Sequence, residues 1–371
     1  MAEASVEFLC PQGAFRLRRF PHRQREPLQA WNNADRLLLE AVNELQLPPE
    51  PGILVVNDEH GALSVALPSS TLWTDSWLSA EATRRNRTQN HCNATTICWS
   101  TDEPPEPSII LMRVPKSLHY FEDQLAVLAG ISAPGTLLLA AGVDKHLSSQ
   151  TASILERGFG PTERRRGRLK ARVFAARRTE EELPPRPAPQ QFQPATLPFP
   201  LTSLSNVFSP ARVDPGTSLL LSVLDHLAPV SRAADLACGN GIVGMHLLQQ
   251  DLVDQVLFSD ESAMAIASAR ENLPQQWQHR ADFFHGDGLA QPGACYDLVL
   301  LNPPFHLGHV VDEFAGRRLI RQAHDALVPG GSLLLVFNNH LKYRTQLRSL
   351  FGPVEELARN SRFTVVRAFR A

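Results

Sequence analysis

Little in this chain of 371 residues points to a metal, a disulfide framework or a membrane. Its five cysteines, Cys10, Cys92, Cys98, Cys238 and Cys295, are an odd number and form no C-x-x-C pair. Neither a zinc site nor a set of disulfides is indicated, and a reducing cytoplasm is the expected home. No run of 18 apolar residues occurs, so no membrane-spanning helix is expected. Met1 to Arg25 holds six arginines or histidines beside Glu3 and Glu7, without an apolar stretch, and no export signal is expected. The formal net charge is only −2, which excludes a protein that coats nucleic acid by bulk positive charge. The one glycine-rich turn, Asp235-Leu236-Ala237-Cys238-Gly239-Asn240-Gly241, lacks both the G-x-G-x-x-G spacing and a phosphate-binding lysine. Neither NAD nor ATP is supported by it.

What is present reads as a soluble α/β protein of two domains. Hydrophobic residues make up 43% and charged residues 20%, enough for a core in each half of a chain too long for one ordinary core. Residues 179–200 contain seven prolines and no apolar period, as expected of a semi-extended linker or strap between a domain over 1–178 and a second over 201–371. In the second half β and α patterns alternate. Strands are expected to end at Asp235 and Asp260, a third to lead into Gly286-Asp287, and a fourth to run from Tyr296 to Leu301. Helices are expected over 218–227, 263–272, 314–327 and 343–351, and a closing strand near 364–369. This alternation implies a doubly wound parallel sheet with ligands at the carboxyl ends of its strands.

The first half reads as a worn copy of the second. Leu137-Leu138-Leu139 after Pro134-Gly135 matches Leu333-Leu334-Leu335 after Gly330-Gly331, and Phe159-Gly160-Pro161 matches Phe351-Gly352-Pro353. Arg172 to Arg177 parallels Thr364 to Phe369, each expected as an edge-type closing strand. Internal duplication accounts for these matches. The first copy has Val55 to Gly61 where the second has its glycine turn, and Arg113-Val114-Pro115-Lys116 where the second has Asn302-Pro303-Pro304-Phe305. The first copy is therefore expected to be catalytically dead and kept for substrate binding or for packing. Its end carries nine Lys or Arg between residues 157 and 178 against the single acid Glu163. Such a run fits phosphate contacts through Arg164, Arg165, Arg166, Arg168 and Lys170.

The chemistry centres on Asn302-Pro303-Pro304-Phe305. An exocyclic amino group of a base, or a side-chain amide, is a poor nucleophile because its lone pair is delocalised. The Asn302 carboxamide oxygen and the Pro303 carbonyl can accept its two N–H protons and leave the third direction open to a methyl group, while Phe305 stacks on the ring. The glycine turn lets a bulky ligand lie against the backbone. At successive strand ends, Asp235 could hold an amino-acid moiety, Asp260 both ribose hydroxyls, and Asp287 an adenine amino group.

With these residues in place, the second half resembles a class I S-adenosylmethionine-dependent methyltransferase. With its decayed first copy, the whole resembles the bacterial ribosomal RNA guanine-N2 methyltransferases with tandem Rossmann-like domains. Further matching pieces are Val207-Phe208-Ser209, Asp214-Pro215-Gly216, His306 after Phe305, and Asn338 to Tyr343. His340-Leu341 with Tyr343, and the Phe-Gly turn downstream, look closer to the large-subunit (23S) members than to the small-subunit (16S) members. The resemblance implies S-adenosyl-L-methionine as donor and N2 of a 23S rRNA guanine as acceptor. It implies cofactor contacts from Asp235, Cys238, Gly239, Gly241, Asp260, Asp287 and Phe208, and RNA contacts that include His306, His340 and Tyr343. No metal and no membrane are implied, and a monomer is expected because two copies are already fused. A 16S guanine, a protein glutamine amide and a DNA adenine are chemically equivalent alternatives at the Asn302 motif. A non-enzymatic RNA-binding factor is a further one.

Overall fold

The computed structural model describes residues 4–47, 52–165, 167–289, 296–304 and 313–371. The chain divides into two compact units, Met1–Ala188 and Pro189–Ala371. Among the described residues no helix is long and apolar enough to cross a membrane.

The first unit is built on a seven-stranded sheet. Its strands in chain order are β1 (Ile53–Val56), β2 (Thr71–Thr74), β3 (Thr96–Trp99), β4 (Ile109–Arg113), β5 (Leu137–Val143), β6 (Thr162–Arg164) and β7 (Ala171–Arg177). They lie in the order β3-β2-β1-β4-β5-β7-β6. The second unit has β8 (Val230–Leu236), β9 (Val253–Asp260), β10 (Ala281–His285), β11 (Tyr296–Leu301), β12 (Leu327–Asn338), β13 (Val354–Arg359) and β14 (Phe363–Phe369). Their order, β10-β9-β8-β11-β12-β14-β13, is the same permutation. The duplication read in the sequence is thus a duplication of topology.

Each sheet is mixed. Its first five strands in chain order pair in parallel, and the final two pair antiparallel. The central runs, such as Leu298 to Leu301, are buried on both faces, as required where crossover helices cover both sides of a parallel sheet. Two apolar clusters result in each unit, one per face.

Three sequence expectations need correction. The segments Arg172 to Arg177 and Thr364 to Phe369 are not edge strands: β7 lies between β5 and β6, and β14 between β12 and β13. The edge on that side of each sheet is the polar β6 or β13, whose weak apolar signal hid it. Strand β12 starts at Leu327, inside the span expected as helix 314–327, and runs through Pro329-Gly330-Gly331. Residues 189–200 do not behave as a free linker. Gln190–Phe192 pairs with Leu201–Ser203, Leu197 is buried, and Phe199 meets Trp277 edge-on at 5.9 Å. The prolines there shape a strap of the second unit, while Leu183 and Arg186 belong to the first, Arg186 through an ion pair with Asp123.

Candidate active site

The glycine turn leaves the carboxyl end of β8. Asp235 is buried there, and its carboxylate accepts from the Gly244 amide at 2.8 Å. Burial pushes the Asp235 carboxyl up to about 7; the Gly244 hydrogen bond works against this, and the Asp260 charge adds to it. Gly239 and Gly241 both have positive φ, +55° and +84°, for which glycine is the default residue. Their surroundings differ. A Cβ on Gly241 would lie 2.8 Å from Met245 Cε and 3.1 Å from Ala269 Cβ, so this glycine serves close packing. A Cβ on Gly239 would meet nothing within 4 Å, so the space above its backbone is open to a ligand. Cys238 is buried and its thiol is pushed well above the ordinary range by burial and then by the Asp260 and Asp235 charges. It is a small packing residue rather than a nucleophile.

Asp260 ends β9 with its carboxylate fixed by two amides, Gly239 N–H to Oδ2 at 3.0 Å and Ser262 N–H to Oδ1 at 3.0 Å. A carboxylate so held is oriented at the lip of the Gly239 opening. Asp287 stands beyond β10, and its Oδ1 is in an ion pair with Arg318 of helix Glu313–Ala326. The expectation that it accepts from an adenine amino group is narrowed accordingly, since one carboxylate oxygen is already committed to Arg318. Phe208, on the strap before helix Pro215–Leu224, is 64% exposed. An open cradle over Gly239 beside an anchored carboxylate fits the nucleoside of S-adenosylmethionine.

Asn302 follows β11 directly. Its side-chain amide nitrogen donates to Thr217 Oγ1 at 2.9 Å and reaches Asp214 Oδ2 at 3.5 Å. Asp214 is itself tied down as the N-cap of helix Pro215–Leu224, accepting from Gly216 N at 2.8 Å and Thr217 N at 3.1 Å. The Asn302 Oδ1 atom is buried and has no hydrogen-bond partner among the described residues. An unpaired buried acceptor costs stability unless a ligand satisfies it. Pro303 is buried and Pro304 exposed, while Phe305 and His306 lie outside the described residues. Asp214 and Thr217 had not been singled out as site residues. Asp214-Pro215 carries a helix-start signature, but nothing in the sequence announces a contact with a residue 85 positions away.

The residues expected to touch RNA are dispersed. Arg164 and Lys170 are exposed, whereas Arg165 pairs with Glu44 at 3.3 Å and Arg168 pairs with Glu40. Arg166 lies outside the described residues. His340 is exposed. Tyr343 is a correction: it is only 1% exposed, its ring packs edge-on against Phe337 at 5.7 Å, and it sits over Gly316. Its place in the hydrophobic core leaves no face for a base.

The first unit has the same stations with other residues. Gly61 begins its helix with φ +81°, like Gly241, and Asn57 takes the positive φ of Ala237. The strand position of Asp235 is therefore Val55. Asp58 fills the turn instead, its carboxylate accepting from the Gly61, Leu63 and Ser64 amides and the Ser64 hydroxyl. The turn binds its own side chain. Thr74 stands at the strand end where β9 has Asp260. Arg113 occupies the station of Asn302 and forms a mostly buried ion pair with Asp35, itself three residues after an N-cap as Thr217 is.

Residues 5–180 match the family described as RLMG N-terminal domain, and residues 198–367 match the methyltransferase small domain. A ribosomal RNA large subunit methyltransferase G of Alcanivorax borkumensis is 38% identical, covering 96% of this chain and 95% of that protein. A protein of the same name from Streptomyces avermitilis is 37% identical over 97% of this chain and 98% of its own. Among solved structures, a T. thermophilus 16S rRNA N2 G1207 methyltransferase in complex with AdoMet and guanosine superposes with a TM-score of 0.77. It covers 99% of this chain and 98% of its own at 19% identity, a likeness of fold.

Proposed function

Because the chain belongs to the ribosomal RNA large subunit methyltransferase G family, we propose that it transfers a methyl group from S-adenosyl-L-methionine to the N2 amino group of a guanine in 23S rRNA. The observation that carries the chemistry is the asymmetry of Asn302: its amide nitrogen is anchored by Thr217 and Asp214, while its oxygen is buried and unpartnered among the described residues. Guanine N2 is a neutral amine with two protons and a delocalised lone pair. Asn302 Oδ1 accepts one proton and the Pro303 carbonyl the other, which holds the nitrogen with its third direction free.

The cofactor is held by the open backbone at Gly239, by Asp260 at the ribose and by the exposed ring of Phe208, with Asp235 beneath the turn. When bound it supplies an electrophilic methyl group on a sulfonium. The anchored Asn302 contributes orientation and a fixed dipole with little reorganisation. Once methylated, the nitrogen is cationic and loses its proton readily to water, so no dedicated base is required. Basic residues at the end of the first unit, among them Arg164, Arg165, Arg168 and Lys170, supply contacts to RNA phosphate, in which Arg165 and Arg168 exchange exposed carboxylate partners of small worth for phosphates. One chain carries both the binding and the catalytic unit, and the proposal requires no second copy.

The test is transfer of labelled methyl to unmodified 23S rRNA, 16S rRNA and assembled subunits, followed by nucleoside analysis. N2-methylguanosine in 23S rRNA is expected, with Asn302→Ala lowering kcat by roughly 10²–10³. Label only in 16S rRNA would overturn the choice of subunit. Undiminished transfer by Asn302→Ala would overturn the role of that residue.

A further inference from the structure

The hairpin between β6 and β7 turns on two residues that ordinarily avoid such a turn. Arg168 and Ala171 exchange both backbone hydrogen bonds, each at 3.0 Å, which leaves Leu169 and Lys170 as a two-residue loop. Their φ angles are +55° and +59°. Two-residue loops with positive φ at both central positions strongly favour Asn-Gly or Gly-Gly, and a leucine held there is strained.

The strain is held from both sides. Asn33 Nδ2 donates to the Leu169 carbonyl at 2.8 Å, and the Asp144 amide donates to the Lys170 carbonyl at 2.9 Å. The loop is thus clamped to the start of helix Asn33–Asn43 and to the end of β5. It stands at the carboxyl-end face of the first unit's sheet. The Leu169 side chain is 51% exposed. Around it, Arg168, Arg165 and Arg172 each face one carboxylate, Glu40, Glu44 and Asp144, whereas exposed Lys170 has no carboxylate within ion-pair distance among the described residues.

A rigid tip that holds an apolar side chain out of a ring of guanidinium groups has the chemistry of an RNA contact. The cations meet phosphates, and the leucine packs against a nucleobase opened from its stack or against a ribose. We propose that the Leu169-Lys170 turn is a specific docking element for the substrate RNA, with Leu169 as its apolar contact and Lys170 as a phosphate contact. Backbone strain is retained there because an unstrained Asn-Gly loop would lack both side chains. The proposal rests on the reading of the chain as an rRNA methyltransferase and adds the part of the first unit that grips the RNA.

The experiment replaces Leu169→Asn together with Lys170→Gly in the full-length protein and measures thermal unfolding, methyl transfer to 23S rRNA and salt-dependent RNA binding. Relief of strain is expected to raise the Tm of the first unit by about 2–4 °C. KM for RNA is expected to rise about fivefold or more with kcat nearly unchanged, and the slope of log affinity against log salt to fall by roughly 1. Leu169→Ala alone, which keeps the turn and Lys170, is expected to raise KM and leave the salt slope intact. An unchanged KM and slope in the double variant, with an active wild type, would overturn the docking role alone. A wild type that labels no RNA would instead overturn the methyltransferase reading on which it rests.

Discussion

The amide nitrogen of Asn302 is 2.9 Å from the hydroxyl of Thr217, so the residue expected to grip the substrate is aimed by a side chain on the first turn of the helix that begins at Pro215. At the matching station of the first unit, Arg113 is paired with Asp35. One architecture thus holds an open acceptor in one copy and a closed ion pair in the other.

Thr217 is a positioning residue. Thr217→Val keeps the shape and removes the hydroxyl, freeing Asn302 to rotate. The expected outcome is a fall in kcat of about 10–100-fold with KM for RNA nearly unchanged, and recovery in Thr217→Ser. Steady-state kinetics of the three proteins check this, and a rise in KM alone would count against it.

Asp235 makes the cofactor-free protein less stable as pH rises. Its carboxyl is raised by burial from 3.8 to about 7, so between those values the folded state binds more protons than the unfolded one. Stability from this group is therefore full below pH 4 and declines up to pH 7. Asp58, raised by burial and by the Asp35 charge to about 6, acts in the same direction. Asp235→Asn is expected to raise the Tm at pH 8, by about 2–4 °C for each kcal/mol recovered, and to leave it nearly unchanged at pH 4. Melting curves across that range decide the matter.

The Arg113 and Asp35 side chains are 12% and 3% exposed. Removing one partner leaves a buried charge, and Asp35→Ala also removes the reciprocal bond to the Asn32 amide. A loss of about 3–5 kcal/mol is expected in the first unit, seen as an earlier unfolding transition. Cofactor binding by calorimetry is expected to stay at one per chain in wild type and in Arg113→Asn, because Asp58 still fills the first unit's turn. Two equivalents bound by the Arg113→Asn protein would show that the turn is not self-blocked.

Tyr343 supports the core. A Cβ added at Gly316 would lie 2.1 Å from the Tyr343 hydroxyl oxygen, so Gly316→Ala is expected to destabilise the second unit by about 1–3 kcal/mol. Tyr343→Phe is expected to leave the affinity for RNA unchanged. Denaturant titration and RNA binding measured side by side would expose an RNA-contact role for Tyr343 if affinity fell without loss of stability.

The sequence by itself determined the parallel part of each fold. Buried parallel strands must be continuous apolar runs, and Tyr296 to Leu301 is legible as such, with the acids at strand ends marking where ligands lie. The duplication was also legible, since equal topology leaves equal turns, as in Phe159-Gly160 and Phe351-Gly352. Only the tertiary structure decided what depends on contact at long sequence separation. The polar edge strands Thr162–Arg164 and Val354–Arg359 take their identity from the neighbour they pair with, so their own composition is silent. Tyr343 reads as a polar aromatic in a loop motif, and burial between Phe337 and Gly316 made it core. The glycine turn spelled out its glycines, but packing against Met245 and Ala269 separated Gly241 from the open Gly239. Asn302 was visible as a chemical group, whereas its direction was fixed by Thr217 and Asp214, because a rotatable amide acquires an orientation only from partners that folding brings to it.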